Sequence, residues 1–183
     1  MLSQLKKQDK KLFLAINTYP YPPLVSNFFM FITDYTILNA IILIICLLVF
    51  IYDRKNFIPI TVMCILFLIF NKIITNYFKE IIKQKRPCHT LKETIIREDC
   101  GQQFGKPSGH SCLSMSIAIV LLYFYPKAYV ILLLPLLIGY SRIVAGKHYP
   151  SDVMSGWLLG FILAKSVLYI YEKQIKQVNQ NLF

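Results

Sequence analysis

Ile37 to Tyr52 reads ILNAIILIICLLVFIY, sixteen residues in which Asn39 is the single polar position. After a short polar turn, Asp53-Arg54-Lys55-Asn56, the chain continues FIPITVMCILFLIFNKIITNYF from Phe57 to Phe78. A bilayer core about 30 Å thick needs roughly 20 mostly apolar residues per helix, so these runs read as two membrane spans joined by a tight turn. Pro59 falls in the first turn of the second run, where a missing N–H costs little. Upstream, an apolar extension from Leu24 to Phe31 is broken by Thr33-Asp34-Tyr35-Thr36, so a helix over about 24–52 would be long and tilted. Downstream, Ser111–Tyr125, Tyr129–Ala145 and Val153–Tyr171 complete five spans, the middle pair separated by Pro126-Lys127-Ala128.

Composition agrees. The chain has 183 residues, 56% hydrophobic and 16% charged, against about 45–50% apolar and about 25% charged in soluble domains. Its mean hydropathy is +0.52. The expected fold is all-α: a polytopic transmembrane bundle forming a single domain over 1–183. Residues 1–20 are too short in apolar content for a span. Lys6, Lys7, Lys10 and Lys11 alternate with Leu5, Leu12 and Phe13, the pattern of an amphipathic helix lying in the interface. The unusual feature is a net charge of +11. Nucleic acid is the usual partner of such an excess, but it needs a soluble basic face that this chain lacks. The excess points instead to an anion handled at a membrane.

Three polar clusters interrupt the apolar pattern. Lys72, Asn76, Lys79, Lys83 and Arg86 are spaced four, three, four and three residues apart, which puts them on one helical face. Lys72 and Lys83 read equally well as lysines snorkelling to the interface. The second cluster is Pro107-Ser108-Gly109-His110, immediately before an apolar helix, where free N–H groups and the helix dipole favour an anion. The third is Ser141-Arg142, then His148, then Asp152. By parity of the spans all three face one compartment. Arg54, Lys55, Lys127, Lys173 and Lys176 mark the opposite side, which the positive-inside rule makes cytoplasmic.

These residues fit phosphoryl transfer, in which catalysis is mostly positioning and stabilisation of spread negative charge. Lys79, Arg86 and Arg142 supply cations, the arginines with a fork that suits phosphate. His148 and Asp152 are four apart across Pro150, a favoured helix start, so the carboxylate can reach back to one imidazole nitrogen and leave the other free to attack. His110 is suited to protonating the leaving oxygen. A metal held by the histidines and Asp152 is the bland competitor, but none of the spacings is a usual zinc pattern.

The arrangement Lys79, six residues, Arg86-Pro87; Pro107-Ser108-Gly109-His110; Ser141-Arg142, five residues, His148, three residues, Asp152 resembles the type 2 phosphatidic acid phosphatase family. The resemblance covers residues 57–171. It implies His148 as nucleophile, Asp152 as its partner, His110 as general acid and base, and Lys79, Arg86, Ser108, Gly109, His110 and Arg142 around the phosphate. It also implies an enzyme of the cell membrane that needs no metal or cofactor, with its site facing the extracytoplasmic side. Its partners would be the bilayer and an anionic phospholipid, isoprenyl pyrophosphate or lipid A. The small size is similar to compact bacterial members acting on undecaprenyl pyrophosphate or lipid A; phosphatidylglycerol phosphate is a further candidate. A phosphotransferase using the same site, and a lipid-headgroup binding protein, are the alternatives. The intact His148, Asp152 and His110 count against pure binding.

Other residues read more simply. Cys46, Cys64 and Cys112 are expected to pack, whereas Cys88 and Cys100 share the polar segment and can pair if it is extracytoplasmic. Asp34 either approaches the site from the first span or marks that helix's interfacial end, and the second reading is favoured. Gly156 and Gly160 form a small-residue pair suited to packing within the bundle.

Overall fold

The computed structural model describes residues 2–101 and 103–181; the side chain of Lys176 lies outside this description. All of its regular elements are helical apart from one isolated β-bridge between Lys85 and Phe104. The helices are α1 (Leu2–Asn17), α2 (Pro23–Thr33), α3 (Tyr35–Tyr52), α4 (Arg54–Ile82), α5 (Gly109–Phe124), α6 (Leu133–Val144) and α7 (Pro150–Asn181). Among the described residues, three stretches are long and apolar enough to cross a membrane: Tyr35–Tyr52, Arg54–Ile82 and Pro150–Ile175. Their outer faces expose Leu43, Leu47, Ile58, Ile65, Ile69 and Phe161. A helix satisfies its own backbone and can present such a surface to lipid.

The long helix expected over 24–52 is instead two helices. Asp34 adopts an extended conformation and accepts a hydrogen bond from the Thr36 N–H at 2.6 Å, capping α3. That local bond competes with helix continuation, as Asp does at N-caps. The 129–144 segment also begins differently, with a short 3₁₀ turn over Tyr129–Leu132 before α6. Residues 2–17 do form a helix, with its lysines exposed. Its Phe13 is fully buried against Ile143, Tyr149 and Val153, so α1 is docked on the ends of α6 and α7. The four N-terminal lysines therefore lie at the same end of the bundle as the three polar clusters.

α5 is the central helix. It packs most extensively on α7, then on α4 and α6. Leu113, Ile117, Val120 and Leu121 of α5 meet Ile60, Met63 and Phe67 of α4, Leu38 and Ile42 of α3, and Ala164 and Leu168 of α7. The α5–α7 contact is unusually close because Gly156 and Gly160 line it. A Cβ on Gly156 would lie 2.5 Å from the Ser108 carbonyl oxygen, and one on Gly160 would lie 2.2 Å from that of Cys112. Ser116 Oγ donates across the seam to the Gly160 carbonyl at 3.0 Å.

The polar segment between α4 and α5 is a closed loop. Arg86 N–H donates to the Gln103 carbonyl, Gly105 N–H donates to that of Gln84, and Cys88 and Cys100 are joined by a disulfide. Asn17 at the end of α1 is fully buried and ties this loop to the bundle. Its Oδ1 accepts from Ile95 N–H at 2.8 Å, while its Nδ2 donates to the carbonyls of Ile95 and Val144, each at 3.0 Å. Gly146 follows α6 with φ +85°, and a Cβ there would lie 2.8 Å from the Ile95 carbonyl oxygen. Glycine is required at this turn on both grounds.

Replacing Gly160 by Val is expected to separate α5 from α7. A backbone carbonyl cannot rotate away as a side chain can, so the loss should reach at least about 3 kcal/mol, the upper end for overpacking. Thermal melts of the detergent-solubilised protein measure it, with Gly160→Ala falling between the parent and Gly160→Val.

Candidate active site

The close α5–α7 seam brings the first turns of both helices together. Ser108, the N-cap of α5, donates its N–H to the Asp152 carbonyl at 3.0 Å. The first N–H groups of α5 have no intrahelical acceptor. Ser108 is fully buried and its hydroxyl accepts from Ser111 Oγ at 3.0 Å. Asp152 lies in the first turn of α7, which starts at Pro150, and is also fully buried. Its Oδ1 accepts from Gln84 Nε2 at 2.9 Å and its Oδ2 from the Tyr149 N–H at 3.0 Å.

His148 stands between this carboxylate and the cations. Its Nδ1 is 3.5 Å from Asp152 Oδ2, and its Nε2 is 3.3 Å from Arg86 Nη1. A guanidinium has only N–H groups to offer, so in this contact Nε2 accepts. The imidazole is then neutral, with its proton on Nδ1 facing Asp152. The 3.5 Å separation exceeds a good hydrogen bond, as catalytic contacts often do before substrate arrives. Burial holds the His148 imidazole well below the usual histidine range, reinforced by the charges of Arg86, Arg142 and Lys79 and by His110.

Arg86 and Arg142 are 6% and 2% exposed, and Lys79 is partly buried. Arg142 Nη1 donates to Glu98 Oε2 at 3.0 Å and to the Thr33 carbonyl at 3.1 Å, and it also meets the Thr33 hydroxyl. Glu98 additionally pairs with Lys147. The His110 ring packs against that of Tyr35 at a tilt of 46°, with ring centroids 3.8 Å apart. Asn71 Oδ1, His110 Nε2, Arg142 Nε and His148 Nδ1 are buried without a hydrogen-bond partner in the protein. Buried polar groups are seldom left so; His148 Nδ1 faces Asp152, and Asn71 Oδ1, His110 Nε2 and Arg142 Nε are available to a ligand.

The helical stripe expected on α4 is rotated from the face that meets the site. Lys72 and Lys83 are exposed and Asn76 is partly buried, whereas Asn71 and Thr75 are buried beneath Gly109 and Tyr35. Asn71, Thr75 and Lys79 follow i, i+4, i+8 spacing, so periodicity does carry a signal for that face. Thr33, Gln84, Glu98, Gly105 and Lys147 carry no such signal, because no spacing ties them to the three clusters. Gly105 covers the His148–Asp152 contact; a Cβ there would come within 2.9 Å of Asp152 Oδ2. Among the described residues, the set of side chains placed to hold a metal is a different one, Cys88, His89 and Cys100, whose two sulfurs are joined to each other.

This is a helical membrane fold carrying a buried His–Asp contact and three cations at one end of the bundle. The chain belongs to the PAP2 superfamily, whose sequence pattern it matches over residues 60–176. It is an integral membrane protein. It is 32% identical over 139 residues to an undecaprenyl-diphosphatase of Sulfolobus acidocaldarius, an alignment covering 74% of this chain and 66% of that protein, just short of two thirds. The fold is similar to the crystal structure of a transmembrane PAP2-type phosphatidylglycerolphosphate phosphatase from Bacillus subtilis, with TM-score 0.71 and 24% identity, covering 93% of this chain and 87% of that one. Aquifex aeolicus LpxE is similar with TM-score 0.66 and 26% identity, covering 87% and 93%.

Glu98 is the carboxylate paired with the buried Arg142. Replacing it by Gln should destabilise the protein by about 1–3 kcal/mol, discounted from a fully buried pair because Glu98 is partly exposed. Orthovanadate or phosphate should restore much of the loss in a thermal melt, by supplying the missing anion.

Proposed function

We propose that this protein is a membrane lipid phosphatase, removing a terminal phosphate from a lipid phosphate or diphosphate through a phosphohistidine. The observation that carries this reading is the His148 imidazole held between Asp152 on Nδ1 and Arg86 on Nε2. Phosphate in the cation cluster would draw Arg86 onto its oxygens and release the Nε2 lone pair toward phosphorus. His148 then forms the N–P bond as the bond to the leaving oxygen breaks, and His110 gives that oxygen its proton. Asp152 stabilises the imidazolium that develops. Water next attacks phosphorus while His110 takes its proton, the N–P bond breaks, and inorganic phosphate leaves. Lys79, Arg86 and Arg142, with Ser108 and the N–H groups of Gly109 and His110 at the start of α5, hold the phosphate oxygens throughout.

In this reading α3, α4, α5, the 129–144 segment and α7 make five crossings. α5, about 24 Å long at 1.5 Å per residue, is short because its neighbours enclose it. α1 lies at the interface, and the site opens on the extracytoplasmic side; the Cys88–Cys100 pair supports an oxidising compartment for its loop. Undecaprenyl diphosphate is the favoured substrate, since the Sulfolobus relative is an undecaprenyl-diphosphatase. Phosphatidylglycerol phosphate and lipid A 1-phosphate are the competitors. Transfer of the same phosphoryl group to a second lipid is the alternative outcome.

The test is phosphate release by detergent-purified protein from undecaprenyl diphosphate, phosphatidylglycerol phosphate and lipid A in EDTA. Release from the first, inhibited by vanadate, is expected. Label appearing in a second lipid without free phosphate identifies a transferase. His148→Ala should lower turnover by at least about 10³-fold, the scale of losing a nucleophile; retained activity overturns the assignment.

The pH dependence has a definite sign. A histidine with a depressed pKa is neutral, and so nucleophilic, at all pH values above that depressed value. The acid limb of kcat/KM is therefore expected below the ordinary histidine pKa of about 6.5. An acid limb at or above that value would contradict a buried, neutral His148.

A further inference from the structure

A second basic site adjoins Gln84, the residue that donates to Asp152. α1, the end of α4 and the start of α7 enclose a groove of about 880 Å³. Five lysines line it: Lys6 and Lys10 from α1, Lys83 and Lys85 after α4, and Lys106 before α5. The one acidic residue among the lining groups, Asp9, is already engaged, its carboxylate accepting from Ser151 N–H at 2.9 Å and from the Ser151 hydroxyl at 2.6 Å. None of Lys79, Arg86, His110, Arg142 or His148 reaches this groove. Its cations are therefore additional to those of the phosphatase site.

Beside uncharged polar groups such as Gln84 and Ser151, the lining includes four exposed apolar side chains, Leu5, Leu12, Ile82 and Met154. Ile82 and Met154 belong to α4 and α7, two of the helices long enough to cross a membrane, so the groove opens where the bundle meets lipid. An amphipathic groove with a cationic rim matches a ligand with an anionic head and hydrocarbon chains. We propose that this groove binds one molecule of anionic glycerophospholipid, a phosphodiester such as phosphatidylglycerol, as a resident lipid separate from any substrate. Having no terminal phosphate, that lipid is not turned over.

The groove also adjoins the site's supports. Gln84, which donates to Asp152, and Ser151, which Asp9 holds, are both part of its wall. A lipid neutralising Lys6 and Lys10 on either side of Asp9 fastens α1 to the first turn of α7. Bound lipid should thus raise the melting temperature, since it binds only the folded chain.

Native mass spectrometry of the full detergent-purified chain tests this without any turnover, so its outcome is independent of the phosphatase reading. The probes are dioleoylphosphatidylglycerol and dioleoylphosphatidylcholine. One phosphatidylglycerol should be retained per chain, roughly tenfold or more tighter than phosphatidylcholine, and should raise the melting temperature. The triple variant K6Q/K10Q/K83Q, whose three positions are exposed, should melt as the parent does without lipid yet lose that affinity by about tenfold or more. K55Q/K127Q/K173Q removes three exposed lysines from the other end of the bundle and should change it by less than about twofold. Saturating orthovanadate should leave the lipid bound. Equal losses in the two triple variants would mean diffuse surface attraction, and displacement by vanadate would mean the lipid sits in the phosphatase site. Either result, or no preference for the anionic lipid, overturns the proposal.

Discussion

The close approach of α5 and α7 is the constraint on which the rest of the structure depends. Two glycines one helical turn apart let the α7 backbone lie against the carbonyls of Ser108 and Cys112. In lipid there is no hydrophobic drive to press helices together, so packing of small residues and hydrogen bonds such as Ser116 to Gly160 carry the association. The seam sets the register of two helix N-termini. Because α5 begins at Gly109 and α7 at Pro150, the first turns meet, and Ser108 N–H reaches the Asp152 carbonyl. The first turn of α5 and the carboxylate that faces His148 are thereby joined through backbone.

Around that seam the protein keeps titratable groups under cover, and two of them have several partners. Asp152 is held by Gln84 and the Tyr149 N–H, and Arg142 by Glu98 and Thr33. Such groups are costly to desolvate, and these hydrogen bonds offset part of the cost. The polar loop makes this possible by folding back over the helix ends. It is closed by its disulfide and its bridge, and it is tied down by Asn17 and by Arg97, whose guanidinium donates to the carbonyls of Asn17 and Val144. α1 is thus part of this closure. It supplies the buried Asn17 that joins the loop to the turn carrying His148.

Much of this architecture is legible in the amino-acid sequence. The apolar runs are long enough to be read against bilayer thickness, and a helix is the spanning element that an open chain can use. Residues 150–152 start a helix because proline pre-sets its first turn, and that is a local property. Ser108, Gly109 and His110 likewise belong to a helix N-terminus readable from a few neighbours. Asp34 shows the limit. Its own side chain caps α3 and breaks a run whose hydropathy alone looks continuous.

The order and spacing of His110, Arg142, His148 and Asp152, and the glycine pair at 156 and 160, were determined by the sequence alone, because each lies within one or two helical turns of its motif. Tertiary structure alone decided which groups complete the site. Glu98 reaches Arg142 across 44 residues, Gln84 reaches Asp152 across 68, and Thr33 reaches Arg142 across 109. Contacts of that separation follow from where the loop and helices pack, and helical periodicity carries no information about them. The same holds for the direction of the α4 face. Periodicity placed several polar residues in a stripe, but only the packing of α4 on α5 selected Asn71 and Thr75 over Lys72 as the side that turns inward.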